Sequence, residues 1–291
     1  MLENARLDLH CHSYYSDGTT SIADLLKRAG ENGVTHLAIT DHDCVDGLED
    51  VAGYETDVVV IPGVEISSAW QGIEVHIVGL FVDRHEAHLQ SLLLAQQAAR
   101  RTRVEKMSTM LETQGTSGLN DYLEALPAVS LTRSHVANFL VEQGVCKTRQ
   151  KSFKSHLSRR GKIYVESQWC ALEIAINAIA QAGGIAVLAH PGRYPISKSK
   201  LALLAREFKA SGGVALEGSY PNIDPNMMRR LEVLAIDCGL LLSCGSDFHD
   251  PEARWTDIGK FPRLGQSAQS HGVWQHPVWR THFPEAYPLS V

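Results

Sequence analysis

Short apolar runs rich in valine, isoleucine and leucine recur along the chain at 6–12, 36–42, 58–67, 75–82, 185–191, 214–219 and 240–248. Each has strand length and is bounded by turn residues, so seven strands are expected. Between most of them the apolar spacing changes to that of an amphipathic helix. Ile22–Glu31 follows a capping Ser21, 172–182 runs into Gly183-Gly184, and 225–237 opens on a proline. Strands that alternate with helices argue for a parallel sheet, and an α/β barrel is the expected fold class. From Arg84 to Val165 the strand pattern stops, and a long helical run at 85–113 is followed by shorter helices near Asn120, Ser134 and Ser152. The expected organisation is a barrel made of 1–83 and 166–291, interrupted by a helical insertion over 84–165. The last forty or so residues carry Trp255, Trp274, Trp279 and several prolines, and are expected to pack irregularly on the barrel exterior. No repeat at a fixed period and no low-complexity segment is present.

A length of 291 residues fits one barrel with a modest insertion, and 44% hydrophobic residues suffice for a core without staples. The six cysteines, at 11, 44, 146, 170, 238 and 244, form no CxxC pair, which fits a reducing compartment. The N-terminus has no basic region followed by an apolar one, and no stretch approaches the roughly 18 apolar residues of a membrane span. A cytoplasmic location, no membrane and no obligate protein partner are expected. The net charge of −6 is unevenly placed: 84–165 carries +7 and the remainder −13. An acidic lobe suits cations and a basic lobe suits an anionic substrate, although charge runs are commonly just solvated helix faces.

Candidate chemistry begins at His10-Cys11-His12, where the two-residue period of a strand turns both imidazoles to one side. Alone, such a pair is more often two satisfied histidines than a ligand pair. It has company: Asp17 in a turn, Asp41-His42 ending the second strand, Glu65 ending the third, His76 in the fourth, His190-Pro191 ending the fifth, Asp247 and His249 closing the seventh. Strand ends are where parallel barrels carry functional groups. Mixed imidazole and carboxylate donors favour manganese, zinc or iron over magnesium or calcium. Cys11 is expected on the opposite, core face. Asp8, Asp41 and Asp43 are candidates for orienting the ligating rings, with a solvated turn residue an equal reading of Asp43.

The runs LDLHCHSYYSDGTTS, AITDHD, PGVEIS, VHIVGL, AVLAHPGR and GSDFH occur in an order that resembles the PHP (polymerase and histidinol phosphatase) family along the whole barrel. The insertion's TRSHVANFLVEQG resembles, over a shorter stretch, a helix of the subgroup containing nucleoside 3′,5′-bisphosphate phosphatases and 5′-to-3′ exoribonucleases. The resemblance implies a distorted seven-stranded barrel with two or three divalent metals, manganese foremost, zinc or iron as alternatives. It places His10, His12, Glu65 and Asp247 on the first. Glu65 would bridge to a second held also by His76 and His190, and Asp17, His42 and His249 would hold the third. Several relatives have a histidine where this chain has Asp17.

Two cations about 3.5–4 Å apart activate water and neutralise phosphate oxygens, so hydrolysis needs no protein nucleophile. Neither GxSxG nor GxxxxGK[ST] is present. Where the third metal position is empty or carries a water, Asp17, His42 or His249 is a candidate to protonate the leaving group; Arg193 is a candidate to clamp a phosphate, though it also reads as an ordinary surface arginine. In the insertion Arg133, Ser134 and His135 sit where a helix begins and, with Lys162, are candidates for holding a second phosphate; a capping serine beside two solvated residues is the alternative. Phe139, Phe153 and Tyr164 are the aromatics placed to stack bases. The leading expectation is removal of the 3′-phosphate from nucleoside 3′,5′-bisphosphates. The rival is a 5′-to-3′ exoribonuclease on short RNA, with 147–162 as a backbone track. A histidinol-phosphate-type phosphatase, amide hydrolysis and a non-catalytic metal-binding module rank lower.

Overall fold

In the computed structural model, which describes residues 5–284, a curled sheet of parallel strands is wrapped by helices. The strands are β1 (Leu7–Cys11), β2 (His36–Ile39), β3 (Val59–Trp70), β4 (Ile73–Leu80), the two-residue β5 (Cys170–Ala171), β6 (Ile185–Leu188), β7 (Ala215–Ser219) and β8 (Leu241–Cys244). They pair in the order β1-β2-β3-β4-β6-β7-β8, with β5 beside β3. Seven strands thus form the main path, and a parallel bridge between Cys11 and Phe248 brings its two ends together as a distorted barrel. One strand departs from the all-parallel expectation: β4 is antiparallel to both β3 and β6. The cause is local. Gln71 and Gly72 both take positive φ, 47° and 74°, and close β3 onto β4 as a tight hairpin, leaving no room for a crossover helix.

Helix boundaries follow capping chemistry. In α1 (Ile22–Glu31) the Ser21 hydroxyl accepts from Asp24 N, and its apolar face buries Ile22, Leu25, Leu26 and Ala29. After the short α2 (Gly47–Asp50), Glu86 caps the 26-residue α3 (Ala87–Glu112). There follow α4 (Leu119–Glu124), α5 (Arg133–Glu142), α6 (Arg149–Ser152), α7 (Leu172–Gln181) and α8 (Lys198–Ala210). In α9 (Pro225–Cys238) Asp224 caps the start and Gly239, at φ 65°, ends it; α10 (Gln266–Gln269) and α11 (Pro277–His282) complete the described chain.

Three apolar clusters explain the shape, the smallest packing α1 against β1 and β2. The largest joins the sheet to α7, α8 and α9, and takes in Leu89 and Leu93 from the first turns of α3. A separate cluster, including Val104, Met107, Leu119, Phe139, Leu140, Leu157 and Ile163, packs the far half of α3 against α4 to α6. The long helix therefore contributes to both clusters and carries the helical region beside the barrel mouth. Trp274 and Trp279 are buried against the outside of the sheet, as expected, but Trp255 stands out at the rim, 55% exposed. Residues 285–291, the end of the segment expected to pack on the exterior, lie outside the described residues. The six cysteines are unpaired, and no described helix is long and apolar enough to cross a membrane.

Candidate active site

The strands end earlier than their apolar runs suggest, so most site residues sit on the first turns beyond them. β2 stops at Ile39, before Asp41 and His42; β6 stops at Leu188, before His190; β8 stops at Cys244, before Asp247 and His249. Glu65, expected at a strand end, lies in the middle of β3, because that strand runs on to Trp70 to pair with β4. His190 and Asp247 adopt left-handed φ values of 29° and 46°, costly for residues with a Cβ and typical of side chains held to a task. Gly245 lets β8 approach β1: a Cβ there would lie 2.4 Å from the Cβ of His10.

Every expected ligand converges on one buried cluster. One carboxylate oxygen of Glu65 is 3.0 Å from both His76 Nδ1 and His190 Nε2; the other is 2.9 Å from His42 Nδ1 and 3.4 Å from both His10 Nε2 and His12 Nε2. Asp247 Oδ1 is 3.3 Å from His12 Nε2 and 3.6 Å from His10 Nε2 and His249 Nδ1. Asp17 Oδ1 is 3.2 Å from His249 Nε2 and 3.7 Å from His42 Nε2. Among the described residues, three groups have donor atoms within 4.8 Å of one another: His10, His12 and Asp247; His42, Glu65 and His76; His12, Asp17, His42 and His249.

These donors fit divalent cations. Glu65 is fully buried, yet its Oε2 makes no hydrogen bond, nor do Asp17 Oδ1, His42 Nδ1 and His190 Nδ1. His10 Nδ1 pairs with Glu217 at 2.7 Å and His249 Nδ1 with the Asp247 carbonyl at 2.9 Å. Where those nitrogens donate, both Nε2 lone pairs point at carboxylate oxygens, which is repulsive unless a proton or a metal lies between. The electrostatics agree. Burial drives His10 and His76 down, but Glu217 and Glu65 overcome it for His10, and Glu65 pushes His76 up to about 10. His249 rises to about 9 because Asp17 and Asp247 outweigh its burial. His12 is driven down to about 3 by burial, then by His249 and His42. Glu65, Asp17 and Asp247 are held well below the usual carboxylate range, since the histidines beside each outweigh its burial.

The supporting carboxylates divide their work. Asp8 accepts from the amides of Ser246 and Gly259, fastening β1 to the loops after β8. Asp41 accepts from the amide and hydroxyl of Ser13 and the hydroxyl of Ser16, shaping the turn that presents Asp17. Asp43 is not a solvated turn residue: it is fully buried, paired with Arg100 at 2.7 Å and accepting from Ser67 N. Cys11 lies in the core, as expected. Sequence reading missed Glu217, which orients His10 and accepts from the amide of His190 at 2.6 Å. Its signal was a glutamate inside the apolar run VALEGS.

Beside the cluster a cavity of about 180 Å³ reaches from Asp17, His42 and His76 to the helical region, where Arg100, Arg103, Arg133, Ser134, Phe153 and Trp169 line it. Arg100 and Arg103 stand over the Trp169 ring at 4.7 and 5.6 Å, and Arg133 pairs with Glu74 at 3.3 Å. Burial and the neighbouring Arg133 lower Arg103 to about 10. Arg100 is already paired with Asp43, so Arg103 and Arg133 face one carboxylate, Glu74, and the surplus guanidinium charge suits an anion. Arg103 and Trp169 were not foreseen. Some expected lining residues are elsewhere. The His135 ring turns back to accept from Thr132 N, completing a helix cap whose N-cap is Thr132 and not Ser134. Lys162 is exposed and, like Tyr164, does not line this cavity; Phe139 is buried in the helical core. Arg193 does reach the cluster, pairing with Asp247 across from the helical region.

A family profile for the PHP domain matches residues 8–175. The 5′-3′ exoribonuclease Rnm of Escherichia coli is 38% identical over 273 residues, covering 92% of each chain. A 3′,5′-nucleoside bisphosphate phosphatase of Chromobacterium violaceum is 34% identical over 282 residues, covering 95% of this chain and 96% of its own. Among solved structures, an amidohydrolase from Chromobacterium violaceum with bound sulfate and no metal superposes with a TM-score of 0.84 at 34% identity, covering 93% of this chain and 95% of that one. A metal-dependent phosphoesterase from Bifidobacterium adolescentis gives 0.76 at 28%, covering 94% and 98%.

Proposed function

We propose, from the premise that this chain belongs to the PHP domain family and is a metal-dependent phosphoesterase, that it hydrolyses the 3′-phosphate ester of nucleotides that carry a 5′-phosphate. The leading substrate is a nucleoside 3′,5′-bisphosphate, giving a nucleoside 5′-monophosphate and phosphate. The observation that carries this reading is the arginine-lined cavity directly beside the histidine cluster, a place for a second phosphate held apart from the one being cut.

His10, His12, Glu65 and Asp247 would hold one cation, Glu65, His76 and His190 a second, and Asp17, His42 and His249 a third, with manganese the favoured metal. When bound, such cations supply charge neutralisation and an activated water. The protein's own groups do the rest. Arg133, with Arg103 behind it, anchors the 5′-phosphate, and the Ser134 hydroxyl adds a donor at the start of α5, its N–H being taken by Thr132 Oγ1. Phe153 and Trp169 offer apolar walls for the sugar and base. Asp17 and His42 border the same cavity; where the third position holds no metal, His42 or His249 is placed to deliver a proton to the departing 3′-oxygen, while Asp17, held ionised by His249 and His42, orients them and does not donate. Arg193, held on Asp247, is placed at the phosphate's other flank.

A 5′-to-3′ exoribonuclease breaks the same bond, with the phosphate carrying a further nucleoside; the name of the Escherichia coli relative supports this second reading. Both require 5′-phosphate anchoring. Arg133→Ala is expected to raise KM at least tenfold for adenosine 3′,5′-bisphosphate, roughly 1.4 kcal/mol of lost binding, while changing 3′-AMP hydrolysis little. Equal losses on the two substrates would rule the anchoring out.

A further inference from the structure

A second cavity of about 420 Å³ opens on the opposite half of the rim. The basic cavity sits over β2, β3 and β4 under the helical region; this one is built by the turn after β6 (Gly192, Arg193), the loop after β7 (Tyr220, Pro221, Ile223) and Trp255. Asp17, His42 and His76 of the cluster line the first recess, and the second is linked to the cluster through Arg193. Arg193 joins cluster and cavity: its guanidinium pairs with Asp247 and stands 5.1 Å over the Tyr220 ring. Trp255 contrasts with the other tryptophans. Trp70, Trp169, Trp274 and Trp279 are all at most 9% exposed, whereas Trp255 leaves 55% of its surface open. Packing does not require an indole there, and it lines a cavity whose remaining walls combine the apolar Pro221, Ile223 and Met227 with the polar Asn222 and Asp224.

Hydrolysis of a 3′ ester forms a bond from water oxygen to phosphorus and breaks the bond between phosphorus and the 3′-oxygen, which takes a proton. The phosphoryl group keeps its remaining substituent. In a bisphosphate there is none; in a nucleotide chain it is the 5′-oxygen of the next nucleoside. With the first nucleotide anchored by Arg133, the next must leave the cluster on the other side, where this cavity begins.

We infer that the cavity between the β6 turn, the β7 loop and Trp255 is a subsite for the nucleoside that remains on the scissile phosphate, its base stacked on Trp255 beside Arg193. The inference rests on the substrate reading above and extends it from mononucleotides to 5′-phosphorylated oligonucleotides. Stacking on an indole face accepts any base, so the subsite favours chain continuation without sequence preference.

The test compares a 5′-phosphorylated adenosine dinucleotide with adenosine 3′,5′-bisphosphate on manganese-loaded enzyme and its Trp255→Ala and Trp255→Phe variants. Trp255→Ala is expected to raise the ratio of dinucleotide KM to bisphosphate KM about tenfold, within the range of base stacking on aromatic side chains, and Trp255→Phe to restore most of it. A dinucleotide lacking the second base should lose the same factor on the unmodified enzyme and nothing more on Trp255→Ala, a readout independent of any effect on folding. An unchanged ratio, or equal handling of the abasic and intact dinucleotides, would overturn the subsite. Turnover of the bisphosphate alone would overturn it while leaving the substrate reading intact; no turnover of either would sink both.

Discussion

Glu65 and Glu217 carry the site at the scale of single residues. Glu65 faces five imidazole nitrogens from the middle of a strand, so its oxygens gather donors that come from four different segments. Glu217 touches no substrate; it aims His10 and holds the turn of His190. Glu217→Gln keeps an acceptor for the His190 amide but removes the charge behind His10. Metal affinity should then fall about 10–100-fold with the fold retained, measured by metal titration alongside circular dichroism. Unchanged affinity would refute the orienting role. The histidines also predict a pH effect. His76 and His249 are raised to about 10 and about 9 from an ordinary 6.5. Raised groups stabilise the fold fully below 6.5 and lose that contribution as pH climbs through 9 and 10. The depressed Glu65, Asp17 and Asp247 act with the opposite sign, stabilising above the carboxylate range and failing in acid. The metal-free protein is therefore expected to show a Tm that declines from neutral pH to about pH 10, and bound metal, replacing those protons, to flatten the decline. A metal-free Tm constant across that range would contradict this.

At the scale of elements, the sequence revealed the parts whose signal is local. Seven strand runs, the helices at α1, α7 and α9, and the long helix that became α3 were legible because periodicity and caps are written within each segment. The His10-Cys11-His12 alternation was legible for the same reason. What depended on partners was not: the continuation of β3 to Trp70, the reversal of β4 and the two-residue β5 arise from pairing across the sheet. Asp43 shows the same limit. As a residue in a turn it reads equally as solvated or as orienting a ligating ring, whereas the fold brings α3 over it and pairs it with Arg100, whose other nitrogens donate to Ser67 Oγ and the Leu131 carbonyl. This buried pair ties the helix to β3 and to the chain entering α5. Asp43→Asn leaves the guanidinium without its counter-charge, and urea denaturation should show a loss of about 3–5 kcal/mol. A loss under 1 kcal/mol would mean the pair does not anchor the helical region.

Across the whole molecule, the segregation of charge seen in the sequence acquires a geometry. The acidic barrel buries its carboxylates among histidines at one mouth, and the basic helical region contributes Arg100, Arg103 and Arg133 to a cavity opening onto that mouth. Many of the other basic residues, such as Lys147, Lys151, Arg159 and Lys162, are exposed and add long-range attraction for anions in place of contacts. The segregation was visible in composition; which arginines face inward was not, because that depends on how the far half of α3 folds back over its own small core. The central claim is that one phosphate is anchored at the arginines while a 3′ ester is cut at the cluster. The most direct measurement is kcat/KM of manganese-loaded protein on adenosine 3′,5′-bisphosphate and on 3′-AMP, with products identified. Phosphate and 5′-AMP are expected from the bisphosphate, at a kcat/KM at least tenfold above that for 3′-AMP, a margin of about 1.4 kcal/mol that a charge-assisted phosphate contact readily supplies. Equal values for the two substrates, or release of the 5′-phosphate, would contradict it.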